Sequence, residues 1–284
     1  ITVDAKWGSN SKAIPEYETI KNPAKYYEMW YLGLKNYAMN TFGYAPGYAN
    51  KWANSVMIND GTYGLGYNVF TVPEGQLMIG TNDKMNPNAT LGRLHSYNGQ
   101  EYWLTPDDWE DEIYNNSTRQ EYTVTATGST EKSSFYLSAS YLDNEGITVA
   151  SDYSRFSTRL NADYQIKPWA KVGMNVSYAH FEQNALGNDG SAGSSGNAFA
   201  FSNIAPIYPM YIRDAQGNII FDEKSGIKSH DYGDGSIIGL QRMYLAQSNP
   251  ISDNLLNTRH TEGNTVNATG TLELRLPKNI TFYS

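Results

Sequence analysis

Residues 120–181 decide the fold, and they read QEYTVTATGSTEKSSFYLSASYLDNEGITVASDYSRFSTRLNADYQIKPWAKVGMNVSYAHF. Apolar and polar side chains alternate along four successive segments of this stretch. The apolar members are Tyr122, Val124 and Ala126; Phe135, Leu137, Ala139 and Tyr141; Phe156, Leu160, Ala162 and Tyr164; and Val172, Met174, Val176 and Tyr178. Successive side chains of a β-strand point to opposite faces of its sheet. The pattern therefore predicts four strands, each with one apolar and one polar face.

The connections and the aromatic residues indicate which face looks outward. The first two strands and the last two are joined by short connections, around residues 128–132 and 165–170, whereas the other connections are longer. Outer-membrane β-barrels alternate short periplasmic turns with long extracellular loops. The apolar faces also tend to end in aromatic rings, as in the girdles at membrane interfaces. The sequence thus predicts an all-β fold: part of an antiparallel transmembrane β-barrel whose apolar side chains face lipid.

Three motifs in this stretch resemble a known family. They are GSTEKSSFYLSASYLDNEGI (Gly128 to Ile147), RFSTRLN (Arg155 to Asn161) and WAKVG (Trp169 to Gly173). In order and spacing they are similar to early barrel segments of the SusC/RagA family of TonB-linked outer-membrane transporters of Bacteroidetes. The family patterns are G-x-x-E-K-x-x-Y-Y-L-S-x-x-Y-x-x-x-x-G-I, R-[YF]-S-x-R-x-N and W-x-K-V-G. The resemblance is specific to the family and carries no information on the substrate.

The resemblance implies a function and a set of partners. It implies a plugged barrel in the cell outer membrane that imports oligosaccharides, or sometimes peptides, together with a SusD-like surface lipoprotein. Energy would come from the inner-membrane proton gradient through the TonB–ExbB–ExbD complex, with no cofactor. Because Ile1 to Trp7 already alternate like a strand and no signal segment precedes them, we expect a fragment whose plug and TonB box lie upstream.

Under this interpretation the chain divides into five parts. They are a first strand (1–9), a long extracellular loop region (10–118), the four barrel strands (119–181), a second long extracellular loop (182–263) and further strands that are cut short (264–284). In the last part Val266, Ala268, Leu272, Leu274 and Leu276 alternate before a turn at residues 277–279. About seven strand segments of a larger barrel are therefore expected, with short helices in the loops.

The first long loop contains two helix signals. Asn22 and Pro23 suit the N-cap and first position of a helix over residues 23–39. Its expected buried face comprises Tyr26, Met29, Trp30, Gly33 and Leu34. A second helix is expected to begin at Thr105, which Pro106 follows.

The second long loop contains a turn signal and a glycine-rich stretch. Residues 212–221 (IRDAQGNIIF) predict a hairpin that turns at 214–218 between apolar ends. Residues 187–196 are rich in Gly and Ser and should be mobile.

The composition is compatible with a membrane barrel and excludes several other classes. The net charge is −8 and there is no Cys, while the mean hydropathy is −0.55. The sequence has no apolar run of about 18 residues, which excludes a helical membrane protein. A barrel tolerates low hydropathy because half of each strand faces water. The net negative charge argues against a nucleic-acid-binding protein. The lack of Cys excludes disulfides, thiolate metal sites and a Cys nucleophile.

No catalytic motif is present, and the polar clusters have simpler interpretations. The carboxylates at 107, 108 and 110–112 suit the solvated first turn of a helix better than a glycosidase pair. The four His residues lack metal-ligand spacing. Asp231 and Asp234 suggest a polar turn rather than a calcium loop. We therefore expect neither an enzyme nor a metal site.

The loop aromatics are the candidates for ligand contact. Trp52, Tyr63, Tyr67 and Tyr208 could present flat faces to a sugar or peptide, and we assign them as candidate substrate-binding residues. The alternative, which the sequence favours, is that they pack the core of the loops. On the polar strand faces, Arg155, Arg159 and Asp163 would line the lumen and meet a plug through ordinary structural contacts.

Two functions of other classes stay open at this point. One is a soluble secreted β-rich carbohydrate-binding module, and the other, less favoured, is a surface glycoside hydrolase. Neither accounts for apolar strand faces that end in aromatic rings. A soluble sandwich would concentrate its large rings in the middle of each strand, where the core is thickest.

We expect the isolated 284-residue chain to form no conducting, heat-resistant barrel in liposomes. Seven strand segments leave two open edges, and each unpaired backbone N–H or C=O group in hydrocarbon costs several kcal/mol. Conductance measurements on the purified chain check this. Discrete channels, together with a band that shifts only on boiling, would contradict it.

Overall fold

The computed structural model describes residues 1–13, 18–59, 61–186, 204–257 and 259–284. The glycine-rich segment 187–196 lies outside the described residues. The chain forms two compact units. The first comprises Ile1–Ile14, Tyr114–Gly187 and Asn257–Ser284, and the second comprises Pro15–Ile113 and Asn188–Leu256.

The described residues contain eleven strands and four α-helices. The strands are β1 (Thr2–Asn10), β2 (Phe70–Thr71), β3 (Thr90–Leu91), β4 (Arg93–Tyr97), β5 (Gln100–Leu104), β6 (Ser117–Ser129), β7 (Ser133–Glu145), β8 (Asp152–Lys167), β9 (Ala170–Ala185), β10 (Arg259–Leu276) and β11 (Ile280–Tyr283). The helices are α1 (Pro23–Phe42), α2 (Pro46–Met57), α3 (Trp109–Ile113) and α4 (Pro250–Leu256), with a 3₁₀ turn at Pro277–Asn279. Among these helices, none combines the length and the apolar character needed to cross a membrane.

The first unit is a single antiparallel sheet in which every strand pairs with its neighbour along the unit, in the order β1-β6-β7-β8-β9-β10-β11. The four strands expected from the alternation, the first strand and the two last ones are all present. The connections 130–132, 168–169 and 277–279 are short and lie at one end of the sheet, whereas the other connections are longer. A meander with this asymmetry is the strand order of an up-and-down barrel.

The register places all the apolar faces on the same side of the sheet. Leu137 lies opposite Leu160, Leu160 opposite Val176, and Val176 opposite Ala268. We call this side the apolar face and the other the polar face. None of these four residues is buried in the sheet, since Leu137 is 44% exposed and the nearby Val266 is 67% exposed. A two-layer soluble core would bury them, so the pattern fits a sheet whose apolar face meets lipid.

Aromatic residues form a row along one edge of the apolar face. Tyr122 lies opposite Tyr141, which lies opposite Phe156. Trp7 extends the row into β1, where its indole Nε1 donates a hydrogen bond of 3.0 Å to the Tyr122 hydroxyl. Tyr178 continues the row on β9, next to Phe156 on the diagonal. The predicted aromatic girdle is therefore a continuous band across five neighbouring strands.

Gly173 in the WAKVG motif makes room for a polar contact between strands. A Cβ atom at this position would lie 2.5 Å from Thr271 Oγ1 and 2.7 Å from Asp163 Oδ1. Without that Cβ, Asp163 can approach the Lys171 ammonium at 3.5 Å on the polar face. The motif glycine is thus explained by crowding on the polar face rather than by a turn.

The second unit begins with the expected helix, but the prediction of its buried face was wrong. Asn22 is the N-cap, as its Oδ1 accepts a hydrogen bond from the Lys25 N–H at 3.1 Å. The residues that α1 buries are Tyr27, Tyr31, Leu34 and Ala38. Of the predicted face only Leu34 is buried, and Met29 is 56% exposed. The helix is apolar on two adjacent sides, so spacing alone did not determine which side packs.

Two further predictions for the loops have different outcomes. The helix expected to begin at Thr105 is α3, and it begins at Trp109 because Asp108 caps it and accepts hydrogen bonds from the N–H groups of Glu110 and Asp111. The hairpin in residues 212–221 is confirmed. It closes through the backbone bond from Asp214 to Asn218 and through an antiparallel bridge between residues 213 and 219.

Arginine at Val176 should destabilise the membrane-inserted protein by about 2–4 kcal/mol, the range measured for cations at the midplane of barrel surfaces. Arginine at the neighbouring Asn175 should change stability little, because Asn175 lies on the polar face. Denaturant titration of both full-length variants in lipid vesicles measures the difference. Equal effects of the two substitutions would contradict the assignment of the faces.

Candidate functional site

Tyr67, one of the four candidate ligand residues, lies in the core of the second unit and is fully buried. Its hydroxyl donates hydrogen bonds to Asp231 Oδ2 at 2.8 Å and to the Leu240 carbonyl at 3.2 Å. The Tyr27 hydroxyl donates to the Tyr67 carbonyl at 2.7 Å. Burial, with the Asp231 carboxylate as a further cause, raises the pKa of Tyr67, so the hydroxyl stays a donor.

Tyr208 belongs to the same core and is also fully buried. Its ring packs edge to face against Tyr67 at 5.1 Å, and its hydroxyl donates to the Leu65 carbonyl at 2.9 Å. The indole of Trp109 donates to the Tyr208 carbonyl at 3.0 Å. In this structure Tyr67 and Tyr208 therefore present no ring face to a ligand, and they fill the role of the alternative interpretation, packing the loop core.

Asp231 and Arg242 hold the HDYGDGS turn inside this core. Burial raises the pKa of Asp231, and the nearby Arg242 opposes that shift. The Arg242 guanidinium donates to the Asp231 carbonyl and lies 5.4 Å from the Trp109 ring and 5.7 Å from the Tyr208 ring. The hydrogen bond and the cation–π contacts of Arg242 thus account for the conformation of the turn. Across the described residues, no group of three or more His, Cys, Asp or Glu side chains could hold a metal ion.

The acidic segment before α3 makes a structural ion pair. Asp107 binds Arg213 through both oxygens, at 2.5 and 3.0 Å, and also accepts the Met210 N–H at 2.7 Å. A carboxylate whose oxygens already accept these hydrogen bonds holds the neighbouring segments in place and has little capacity left for a substrate. Asp107 therefore has a structural role in place of the expected solvated one, and its occupied oxygens also disfavour a glycosidase pair.

Trp52 and Tyr63, the other two candidates, lie at the surface in a cluster of six rings. We call this cluster the ring patch, and its members are Tyr37, Phe42, Tyr44, Tyr48, Trp52 and Tyr63. Trp52 and Tyr63 are 6.1 Å apart between ring centroids. The Trp30 indole anchors the patch by donating to the Tyr63 carbonyl at 2.9 Å. Rings held in this way form a rigid and amphipathic surface.

Sequence reasoning missed four members of the ring patch, although a signal was present on α2. Tyr48 and Trp52 are four residues apart and share one side of the helix, while Ala49, Ala53 and Met57 form its buried side. Small residues on one side and rings on the other indicate that the rings point outward. The ring with the largest exposed fraction is Tyr48, at 59%. Large rings outside a core point to contact with another molecule.

The polar face of the sheet has a concavity of about 320 Å³ at its centre. Its lining is dominated by Ser, Thr and Asn side chains from β7, β8, β9 and β10, with Arg159 as its one charged member. The neighbouring Asp163 is engaged by Lys171 at 3.5 Å. The expectation that Arg155, Arg159 and Asp163 share the polar face agrees with the register, which places all three on the same side of β8.

These features define a class of protein. A seven-stranded antiparallel meander with an unburied apolar face, a polar face and long insertions has the architecture of part of a transmembrane β-barrel.

No family model matches the chain. Three curated proteins of Formosa agariphila, a member of the Bacteroidetes, are similar to parts of it. TonB-dependent receptor P26 is 30% identical over 155 residues, which is 55% of this chain and 13% of the relative. TonB-dependent receptor P3 is 27% identical over 110 residues, or 38% and 11% of the two chains. TonB-dependent receptor P39 is 29% identical over 84 residues, or 30% and 8%.

Solved structures of RagAB have a similar fold. The peptide importer in its open-open state superposes with a TM-score of 0.54 at 14% identity, and the closed-closed state gives 0.51 at 16%. Each match covers 99% of this chain and 26% of the solved chain. The chain thus spans about a quarter of the solved chains that it matches. The resemblance to SusC/RagA-like TonB-dependent receptors, inferred from three motifs, is confirmed.

Replacing Tyr67 with Phe should destabilise the second unit by about 1–3 kcal/mol, because the Asp231 carboxylate loses a buried hydrogen-bond donor. Hydrogen exchange of the backbone amides in residues 229–242 of the full-length protein measures this local stability. Tyr63→Phe is the matched control, since among the described residues the Tyr63 hydroxyl meets only the Tyr37 hydroxyl at the surface, at 3.2 Å. Equal protection in Tyr67→Phe and wild type would contradict the buried network.

Proposed function

We propose that this chain is part of an outer-membrane transporter that imports oligosaccharides or peptides in a TonB-dependent manner. The observation that carries the proposal is the apolar face, whose side chains are aligned across seven strands and left unburied. Such a face is stable where hydrocarbon replaces water. The similar proteins are named as receptors and importers, which supports transport rather than catalysis.

The proposed partners follow from the resemblance and from the neighbours. RagAB is named as a peptide importer, and we propose that the present chain likewise works with a SusD-like lipoprotein at the cell surface. Import would draw on the proton gradient through the TonB–ExbB–ExbD complex. The long insertions at residues 10–118 and 182–263 would then lie on the extracellular side, where ligand and lipoprotein arrive.

We assign ligand contact to the ring patch. Of the four candidates named from the sequence, Trp52 and Tyr63 keep exposed ring surface, whereas Tyr67 and Tyr208 are buried. Aromatic faces bind the apolar faces of sugar rings and also the side chains of peptides, so the patch suits both ligand classes of the proposal. The tyrosine hydroxyls at its margin can donate and accept hydrogen bonds.

The two alternative functions have less support. A soluble carbohydrate-binding module would expose the residues of the apolar face to water, at a free-energy cost that grows with the apolar area. A glycoside hydrolase needs two carboxylates across a cleft, but Asp107 is held by Arg213. Hydrolysis of a glycan by the purified full-length protein would favour the hydrolase.

Removing both rings, in Trp52→Ala/Tyr63→Ala, should weaken ligand binding by the full-length transporter about tenfold or more. Aromatic contacts contribute about 0.5–1.5 kcal/mol each beyond their buried area, and about 1.4 kcal/mol corresponds to a factor of ten. Calorimetric titration with the oligosaccharide or peptide that supports growth of the source cells measures the change.

Leu77→Ala is the control, because Leu77 is an exposed apolar residue of the same unit outside the ring patch. Its affinity should stay at the wild-type value. Unchanged uptake in a strain that lacks TonB would contradict the proposed function itself. Unchanged affinity in the double variant, with TonB-dependent uptake intact, would contradict only the assignment of the rings.

A further inference from the structure

Arg159 projects into a recess that its neighbours leave open. In the register of the sheet it lies between Ser138 on β7 and Ser177 on β9. Both neighbours are small, and all three residues line the 320 Å³ concavity. Directly opposed side chains on one face of a sheet have Cβ atoms about 5 Å apart, so the two hydroxyls lie within reach of a group that binds the guanidinium.

The guanidinium of Arg159 has no partner among the described residues. It forms no ion pair or hydrogen bond there, and the concavity contains no carboxylate. The Ser138 hydroxyl likewise has no side-chain partner in that part of the chain, while Ser177 accepts a long hydrogen bond of 3.5 Å from Asn267. The guanidinium of Arg159 and the hydroxyls of Ser138 and Ser177 thus line the same concavity, and all three can donate hydrogen bonds.

Two ion pairs form elsewhere on the polar face. Asp163 meets Lys171 at 3.5 Å, and Arg119 meets Glu121 at 3.4 Å. No carboxylate lines the recess around Arg159, so an ion pair there needs an acid from outside the recess. Arg159 is exposed, so an anion from outside the described residues can reach its guanidinium.

We infer that this recess binds a carboxylate. The guanidinium presents parallel N–H donors that match the two oxygens of a carboxylate, and such bidentate pairs are among the strongest polar contacts in proteins. The hydroxyls of Ser138 and Ser177 add donors on either side. Ser157, the next polar-face residue along β8, is small and leaves room for a planar group on that side.

The carboxylate has two possible sources, and both use the same chemistry. One is an Asp or Glu side chain of polypeptide that fills the bore of the complete barrel. The other is an acidic solute, such as a uronic-acid sugar or an acidic peptide, that passes along the polar face. The inference requires that the polar face line the bore. It does not require that the ring patch bind the ligand.

Chemical modification of Arg159 in the purified full-length protein tests the inference. Phenylglyoxal adds to free guanidinium groups, and mass spectrometry of the peptides gives the rate at Arg159 relative to the denatured protein. The reaction is run alone, with galacturonate or glutamate, and with their neutral counterparts galactose and glutamine. A carboxylate in the recess should slow modification about tenfold or more.

The two sources give different results. If polypeptide supplies the carboxylate, Arg159 is protected without any addition. Arg159→Gln then lowers the melting temperature by several degrees and Arg159→Lys by less, because lysine keeps the charge. If a solute supplies it, Arg159 reacts freely alone and becomes protected by galacturonate or glutamate but not by galactose or glutamine.

Arg155→Gln is the matched control for the melting temperatures. Arg155 has the same charge and lies on the same face of β8, but it pairs in register with Leu142 and Phe181, outside the recess. Arg155→Gln should not lower the melting temperature in the way that Arg159→Gln does. Two results would overturn the inference: free reaction of Arg159 in every solution, or protection without addition combined with equal melting temperatures for Arg159→Gln and Arg159→Lys.

Discussion

The structure depends on one constraint: the apolar face of the sheet must contact an environment that accepts apolar side chains. Along each strand the side chains alternate, and the register aligns them, so that Leu137, Leu160 and Val176 meet across three strands. Backbone hydrogen bonds satisfy the interior of the sheet, but no second layer covers these residues within the first unit. A hydrocarbon environment suits such a sheet, because it accepts the uncovered apolar side chains and tolerates a backbone whose polar groups are paired. In the proposed barrel the aromatic row would lie at the membrane interface and the polar recess in the bore.

The second unit is stabilised in a different way. Its core combines aliphatic side chains with tyrosines whose hydroxyls are paired, as in the bond from Tyr67 to Asp231. Arg242 lies 5.4 Å from the ring of Trp109 and 5.7 Å from that of Tyr208. Buried polar groups of this kind stabilise a single arrangement, because each unpaired group would cost free energy. A loop region built like this can hold the ring patch rigidly. Rigid rings lose little entropy on binding, which suits a surface that contacts another molecule.

The sequence was sufficient for the sheet and insufficient for the loop core. Strand positions followed from period-two alternation, which is a local signal, and the motif from Trp169 to Gly173 led to the correct family resemblance. The buried face of α1 did not follow, because Met29 and Tyr31 both fit an apolar side and the choice depends on what packs against the helix. Tyr67 could not be placed either, since its partner Asp231 is 164 residues away in the chain. Burial decided by distant partners is not visible in local spacing.

The environment of the apolar face can be measured directly. Single cysteines at Leu137 and Ser138 of an otherwise cysteine-free full-length protein in vesicles can each carry a nitroxide label. The label at 137 should be relaxed mainly by oxygen, which concentrates in lipid, and the label at 138 mainly by a water-soluble nickel complex. Greater access of the nickel complex at 137 than at 138 would contradict it.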